Sequence, residues 1–332
     1  MDQYAALICD RLAPDLSGVH FGVQRRRAIQ PGEMRISLRA AALNFPDLLM
    51  TEGGYQHKPE LPFVPGMEGA GVVTEIAGSG ATFRIGDRVC FSGKSGACAE
   101  EVVVPVTAVW PLPDGFSFAQ GAAFKVGALT AWVSLVARGQ LQSGETLLVH
   151  GGSGGMGLAA VQLGVHLGAR VIATGTSLER LEPARLAGAD EVLLIDEHFR
   201  ERLKKIVPGG VDVIFDPVGG DAFDQSLRVI GWGGRLLVVG FASGQIPRLP
   251  VNIALIKGIS VIGVRAGEYG RRDPVRGAEC LKAILGLAAR GVMTPVIGAR
   301  FTLAESKQAL VALRERAAPG KIVVDVSAQP VQ

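Results

Sequence analysis

The sequence predicts an α/β protein in which a doubly wound parallel sheet is joined to a discontinuous β domain. Three observations carry that prediction. From Glu145 onward, short runs of Val, Ile and Leu alternate with helical patterns, as in a parallel sheet covered on both faces. The first third of the chain reads instead as short strands broken by Gly and Pro. The chain then closes on the strand-like "GKIVVDV", which is expected to rejoin the first domain. The expected boundaries are 1–119 with 266–332 for the β domain and 120–265 for the doubly wound domain.

In the β domain the expected strands are "YAALICD", "EMRISLRAAAL", "GAGVVTEIAG", "DRVCFSG" and "AEEVVVPVTAVWPLP", an irregular barrel. At Ser117, a residue able to cap a helix, the rhythm changes and apolar residues recur at helical spacing through "FAQGAAFKVGALTAWVSLVARG". "ETLLVH" is the next strand, and the helix after it carries Leu158, Val161 and Val165 on one face. "RVIAT" follows, then the helix "SLERLEPARLA" with Gly188 as its stop. The strand "EVLLI", the helix "FRERLKKIV", the strand "VDVIFDPV" and the helix "DAFDQSLRVI" continue the alternation, which ends in the strands "GRLLVVG" and "SVIGV". The remainder holds a helix around Gly277–Arg290, the strand "ARFTL", a helix from Ala304 and the closing strand.

Composition narrows the class of partner. A chain of 332 residues suits two domains. The net charge is +3 and no Lys/Arg run is longer than Arg25–Arg27, which argues against nucleic acid, since phosphate binding needs a concentrated basic face. Cys9, Cys90, Cys98 and Cys280 are scattered without a C-x-x-C pair, as expected of reduced thiols in a cytoplasm. The start, "MDQYAALICDRLAP", lacks the layout of a signal peptide. No apolar stretch reaches the 18 or so residues of a membrane span. The 45 glycines exceed the usual share of about 7%, but they fall in turns and motifs, without a repeat.

The motif with chemistry in it is "VHGGSGGMGLAAVQL". Gly152, Gly154 and Gly157 form G-x-G-x-x-G between a strand and a helix, the setting of a dinucleotide-binding turn. Gly152 permits the tight turn, Gly154 lets backbone approach a pyrophosphate, and Gly157 lets helix and strand pack closely. With Ser153, Gly155 and Met156 they present N–H groups at a helix N-terminus. In such folds the second strand usually ends in Asp or Glu, which holds the ribose hydroxyls of NAD. Here it ends in Thr174, Gly175, Thr176 and Ser177, with Arg180 close behind. Hydroxyls and a guanidinium suit a 2′-phosphate, so the cofactor expected is NADPH. Ser177 also fits as the cap of the next helix, and Arg180 as a solvated cation.

On "NFPDLLMTEGGY", "LPFVPGMEGAGVV", "GDRV", "LTAW", the glycine turn and "GKIVV", the chain resembles the medium-chain dehydrogenase/reductase superfamily, in particular its zinc-free, zeta-crystallin-like quinone oxidoreductase branch. The resemblance implies a Rossmann cofactor domain, a GroES-like β-barrel catalytic domain and a homodimer joined along the cofactor domains. It implies that Thr130, Gly240, Phe241, Ala242 and Lys321 lie at the cofactor, and that Asn44 and Tyr55 lie at the reacting substrate. The zinc alcohol dehydrogenases of this superfamily hold catalytic zinc by a Cys in C-x-T-D and a His in P-G-H-E. This chain has "NFPD" and "PGMEG", so Asn44 and Met67 stand in those places while Glu68 remains. "FKVGALTA", where the third ligand would lie, has no Cys or His. Zinc sites need three protein ligands of N, S or O type, so no metal is expected.

Without a Lewis acid an alkoxide is poorly stabilised, whereas a quinone or enone can spread the incoming charge onto oxygen held by hydrogen bonds. The expected function is NADPH-dependent reduction of a quinone or activated alkene. Alternatives are an enoyl-thioester reductase and a non-catalytic, crystallin-like NADPH-binding protein. His150 is read as packing and bonding its neighbours. Thr130 alternatively bonds back within its helix, Tyr55 alternatively covers the β domain, and Asn44 alternatively ties down its own turn. Lys125 departs from the family, and a lysine reaching solvent is expected there; an anion-recognising lysine is the other reading.

Overall fold

A computed structural model describes residues 2–78 and 82–326. They divide into two compact units, one of residues up to 125 together with 297 onward, the other of residues 126–296.

The first unit is built on sheets. Strands β1 (Gln3–Cys9) and β2 (Val19–Arg25) form an antiparallel pair. β3 (Glu33–Leu43), helix α1 (Phe45–Glu52), β4 (Glu68–Ile76), β5 (Arg88–Ser92), β6 (Glu101–Pro105) and β7 (Val109–Pro111) follow. Near the end of the chain, β14 (Ile297–Thr302), α10 (Ser306–Arg314) and β15 (Lys321–Asp325) return to the same sheet, with β15 antiparallel to β3. The order is β14-β15-β3-β4-β5-β7, and β6 pairs with β3. Its core joins Leu7, Ile36, Leu38, Phe91, Leu310 and Ile322, residues from both chain segments.

Helix α2 (Phe118–Trp132) leads into the second unit, and Ser117 Oγ caps it by accepting the Gln120 N–H at 3.2 Å. Six strands then alternate with helices: β8 (Thr146–Val149), α3 (Gly155–His166), β9 (Arg170–Gly175), α4 (Leu178–Leu186), β10 (Glu191–Leu194), α5 (Phe199–Ile206), β11 (Val211–Asp216), α6 (Asp221–Val229), β12 (Ile230–Val238), α7 (Val251–Lys257) and β13 (Ser260–Gly263). All pairings are parallel, in the order β10-β9-β8-β11-β12-β13. The order reverses at β8, and that switch point is where such sheets bind ligands. Gly188, with φ at +98°, follows the end of α4 as a glycine stop.

Two of the expected boundaries move. Residues 120–125 stay with the first unit, because a Cβ on Gly121 would lie 2.2 Å from Leu112 and 2.6 Å from Cys90 Sγ, a helix pressed on that sheet. Residues 266–296 belong to the second. Helices α8 (Ala266–Arg272) and α9 (Pro274–Ala289) cross where Gly270 and Gly277 meet. The Gln162 amide of α3 then bonds the Thr294 backbone twice, at 2.9 and 3.1 Å. The close approach at Gly121 and the Gln162–Thr294 clamp accompany these assignments, and neither has a local sequence pattern.

Candidate active site

The turn after β8 is shaped by backbone approach. A Cβ on Gly157 would stand 2.2 Å from the Gly151 carbonyl oxygen, and one on Gly152 would stand 2.8 Å from Ala173 Cβ. Gly154, at the mouth of α3, would meet only that carbonyl, at 3.5 Å. The first N–H groups of a helix have no intrahelical partner, so Gly155, Met156 and Gly157 present donors beside an open glycine. The loop after β11 lies at the same sheet edge: Asp216 Oδ1 accepts from Val218 and Gly219 N–H at 2.8 and 2.9 Å. Ala242 and Ser243 donate to the Pro217 and Val218 carbonyls, which ties in the segment Gly240–Ala242 after β12. Gly240 and Ala242 are half-buried and Phe241 is exposed.

At the end of β9, Gly175 and Ser177 are half-buried, and Ser177 is extended and caps α4, its Oγ accepting the Arg180 N–H at 3.4 Å. A hydroxyl that accepts one bond can still donate another, so capping and anion binding are compatible here. No carboxylate ends this strand. These residues fit a dinucleotide bearing a 2′-phosphate. Thr174 is a correction: it is fully buried, and its Oγ1 lies 2.8 Å from His150 Nδ1, so it serves the core and not a phosphate.

His150 is as buried as Thr174, and its Nε2 lies 2.8 Å from Ser226 Oγ. Ser226 gives its own hydrogen to the Ala222 carbonyl at 2.7 Å, so toward the ring it can only accept. The one hydrogen of Thr174 Oγ1 has two acceptors, Nδ1 at 2.8 Å and the Val149 carbonyl at 3.3 Å; in the neutral ring the nearer takes it, so Nδ1 accepts and Nε2 carries the proton. Burial pushes the imidazole below its ordinary range, with the Asp216 charge acting the other way.

The first unit gathers charge at one end of its sheet. Ala42 faces Glu68 across β3 and β4, and Glu68 faces Ser92 across β4 and β5. Leu43 faces Ile322. That register brings Asn44, Glu68, Ser92 and Lys321 to the same edge although 277 positions separate Asn44 from Lys321. Asn44 Nδ2 donates to Glu68 Oε2 at 2.9 Å, and its Oδ1 accepts from Lys321 Nζ at 2.6 Å. Lys321 also pairs with Glu68 at 3.2 Å. All three are nearly buried, Glu68 at 1% exposure and Lys321 at 7%.

Asp47, fully buried on α1, accepts from the N–H of Asn44 at 2.7 Å and of Gly66 at 3.2 Å. Burial pushes its carboxyl up to about 7, against the pull of the Asn44 N–H and of Lys321. Lys321, expected at the cofactor, thus bonds within this cluster. Asn44, expected to face substrate, has one amide hydrogen and its carbonyl engaged here.

Lys125 is a second correction. Its ammonium does not reach for solvent: it donates to Ser92 Oγ at 2.9 Å and lies 4.7 Å from the centre of the Trp110 ring. Burial pulls its pKa down, and Glu68 partly offsets this. Thr130 donates to the Val126 carbonyl at 2.6 Å, the helix back-bond. Tyr55 is half-buried and packs on the core of the first unit, as does Met67. Asp47 was legible in principle, since Asn44-x-x-Asp47 is a helix-start spacing. Ser92 and Trp110 carry no local signal. Among the described residues, no three His, Cys, Asp or Glu side chains converge as a metal site, and no helix is long and apolar enough to cross a membrane.

Comparison with known proteins bears on both units. The signature described as "Alcohol dehydrogenase GroES-like domain" matches residues 30–114, and that described as "Zinc-binding dehydrogenase" matches 155–314. The "Quinone oxidoreductase-like protein 2 homolog" of Nematostella vectensis is 36% identical, over 97% of this chain and 89% of its own length. The "Quinone oxidoreductase" of Mus musculus is 33% identical over 84% of this chain and 85% of its own. The solved quinone oxidoreductase of Thermus thermophilus, described also in complex with NADPH, superposes with a TM-score of 0.83 at 33% identity, covering 97% of this chain and 99% of that one. With its GroES-like and Rossmann-type units and its relatives along nearly the whole length, the chain belongs to the quinone oxidoreductase branch of the medium-chain dehydrogenase/reductase superfamily.

Proposed function

We propose that this oxidoreductase is an NADPH-dependent, zinc-independent reductase of quinones or α,β-unsaturated carbonyl compounds. The observation that carries the metal-free reading is the donor set. Asn44 and Met67 offer an amide and a thioether where zinc relatives offer thiolate and imidazole, and the Lys321 ammonium bonds both Asn44 and Glu68. Divalent zinc takes thiolate, imidazole or carboxylate ligands, and an ammonium held between two of these groups opposes such a cation.

In this reading Gly152–Gly157 hold the pyrophosphate. Gly175, Ser177 and Arg180 hold the 2′-phosphate, and Thr130 with Gly240, Phe241 and Ala242 flank the nicotinamide. When bound, the cofactor supplies a hydride. The chain's own part is to hold the acceptor and the oxygen on which charge appears, at the Asn44 end of the first unit's sheet, with Tyr55 as a lining aromatic. The protein acts as a cytoplasmic homodimer. Supporting the dimer, β13 is an edge strand near exposed apolar side chains, Trp232 at 80% and Leu255 at 82% exposure, and such edges are usually covered.

The test is an activity panel of quinones, enones, acyl thioesters and alcohols with NADPH and NADH, run with and without a strong chelator. NADPH oxidation by a quinone or enone that survives chelation is expected, with a dimeric mass by light scattering. One zinc per chain by elemental analysis, or activity confined to alcohols, overturns the reading.

A further inference from the structure

We propose that Lys125 is a catalytic cation of this enzyme, its ammonium pairing with the acceptor oxygen that becomes negative as hydride arrives. The inference rests on the reductase reading above and names the residue that does its electrostatic work.

The charged end of the first unit's sheet holds two lysines in unlike settings. Lys321 is bonded to Asn44 at 2.6 Å and to Glu68 at 3.2 Å, so its charge is matched by a carboxylate within the fold. Lys125 Nζ is bonded instead to a neutral hydroxyl, Ser92 Oγ, at 2.9 Å, and lies over the Trp110 ring. An ammonium has three N–H donors, and Ser92 accepts from one of them. Ser92 is the register partner of Glu68, and Glu68 is bonded to Asn44. Lys125 therefore stands at the same sheet end as Asn44, in a half-buried position where a charge acts more strongly than in water. Trp110 and Ser92 fix its direction, so the charge is preorganised, as stabilisation of a developing anion requires.

The electrons balance without a metal. At an enone, hydride forms a new C–H bond at the β-carbon, the C=C pair shifts, and the carbonyl oxygen takes the negative charge. The nicotinamide leaves oxidised, and the anion held by Lys125 takes one proton from water. A quinone ends as hydroquinone in the same way, by one hydride and one proton.

The test uses uncharged and carboxylate-bearing acceptors side by side, with the variants Lys125→Met and Lys125→Arg. Lys125→Met is expected to lower kcat about a hundredfold or more, the scale for losing one preorganised donor, while NADPH affinity by fluorescence stays within about twofold. Lys125→Arg keeps the charge and is expected to recover part of the loss. A second readout needs no turnover: p-nitrophenolate, whose absorbance reports binding, should bind the wild type at least tenfold more tightly than Lys125→Met. Wild-type turnover in Lys125→Met overturns the inference. So does an effect limited to KM for carboxylate-bearing acceptors, which would make Lys125 a recognition group for a fixed anion. If the wild type reduces no quinone or enone although NADPH binds, the reductase reading fails by itself, and the p-nitrophenolate titration still decides whether Lys125 holds an anionic oxygen.

Discussion

The glycine turn after β8 and the charged cluster at the end of β4 are built from opposite materials. The turn is backbone: its shape follows from a missing Cβ at Gly152 and Gly157, and its donors are peptide N–H groups. The cluster is side chain: Asn44, Glu68 and Lys321 bond one another in near-complete burial, and buried Asp47 accepts from the Asn44 N–H beside them. A backbone site depends on residues that are absent in volume and close in sequence. A side-chain site depends on partners that the sheet register brings from far away. The two should therefore break differently, the cluster through stability and the turn through ligand binding.

The largest effect is expected from Lys321→Met. It leaves the Glu68 carboxylate buried without the Lys321 ammonium, and removing one partner of a buried pair costs about 3–5 kcal/mol. The double variant Lys321→Met/Glu68→Gln should regain much of that loss, because the buried carboxylate charge is gone. Urea unfolding of the four species reads this directly, and a loss below about 1 kcal/mol in the single variant would show that the pair is not a charge clamp.

In the turn, Gly154→Ala sharpens the contrast. Gly154 has φ at −85°, and its new methyl meets only the Gly151 carbonyl at 3.5 Å, so the fold should accept it. The methyl would instead lie where a pyrophosphate approaches the backbone. Loss of one charge-assisted bond, about 1.5–3 kcal/mol, weakens NADPH binding roughly ten- to a hundredfold, with the melting temperature nearly unchanged. Gly157→Ala, at 2.2 Å from the same oxygen, should lower both. Equal melting temperatures for the two variants would mean that the turn is looser than its geometry.

The same contrast explains what the sequence made legible. The alternation from β8 to β13 was readable because each parallel strand is a short buried run between helices. The glycine turn was readable because its spacing is local. Glu68 was visible only as a leftover of a metal motif, since its partner Lys321 is 253 positions away. Lys125 invited a solvent-facing reading because nothing nearby in sequence announces Ser92 or Trp110. Thr174 looked like a phosphate ligand by position, but a strand residue alternates sides, and its side points to His150. Segment 266–296 joins the second unit, and its bond from Thr294 to Gln162 of α3 has no local signal.

A smaller effect falls on cofactor choice. Replacing Arg180 by Ala should reduce the preference for NADPH over NADH roughly ten- to a hundredfold, the worth of one charge-assisted bond at about 1.5–3 kcal/mol, and leave NADH affinity unchanged. Equal binding of the two cofactors by the unaltered protein would remove the role assigned to the end of β9.

The smallest effect is expected at His150, where the backbone site is braced by side chains. Its neutral ring joins Thr174 of β9 to Ser226 of α6 at 2.8 Å on each side. Protonating Nδ1 would turn the Thr174 hydrogen to the Val149 carbonyl at 3.3 Å and put a charge in a buried place, and burial already holds the ring below its ordinary 6.5. In the unfolded chain the same histidine takes a proton near 6.5. The stabilisation is therefore fully present above about pH 6.5 and is lost as pH falls toward the depressed folded value, with a slope of at most about 1.4 kcal/mol per pH unit. His150→Gln removes the titration, so its stability should run flatter than the wild type's between about pH 6.5 and 5.5, the gap closing by at most about 1 kcal/mol. Urea midpoints at about pH 7.5, 6.5 and 5.5 measure it. Parallel curves would mean that the ring is charged in the folded protein, and then Ser226 and Thr174 would both have to accept from it.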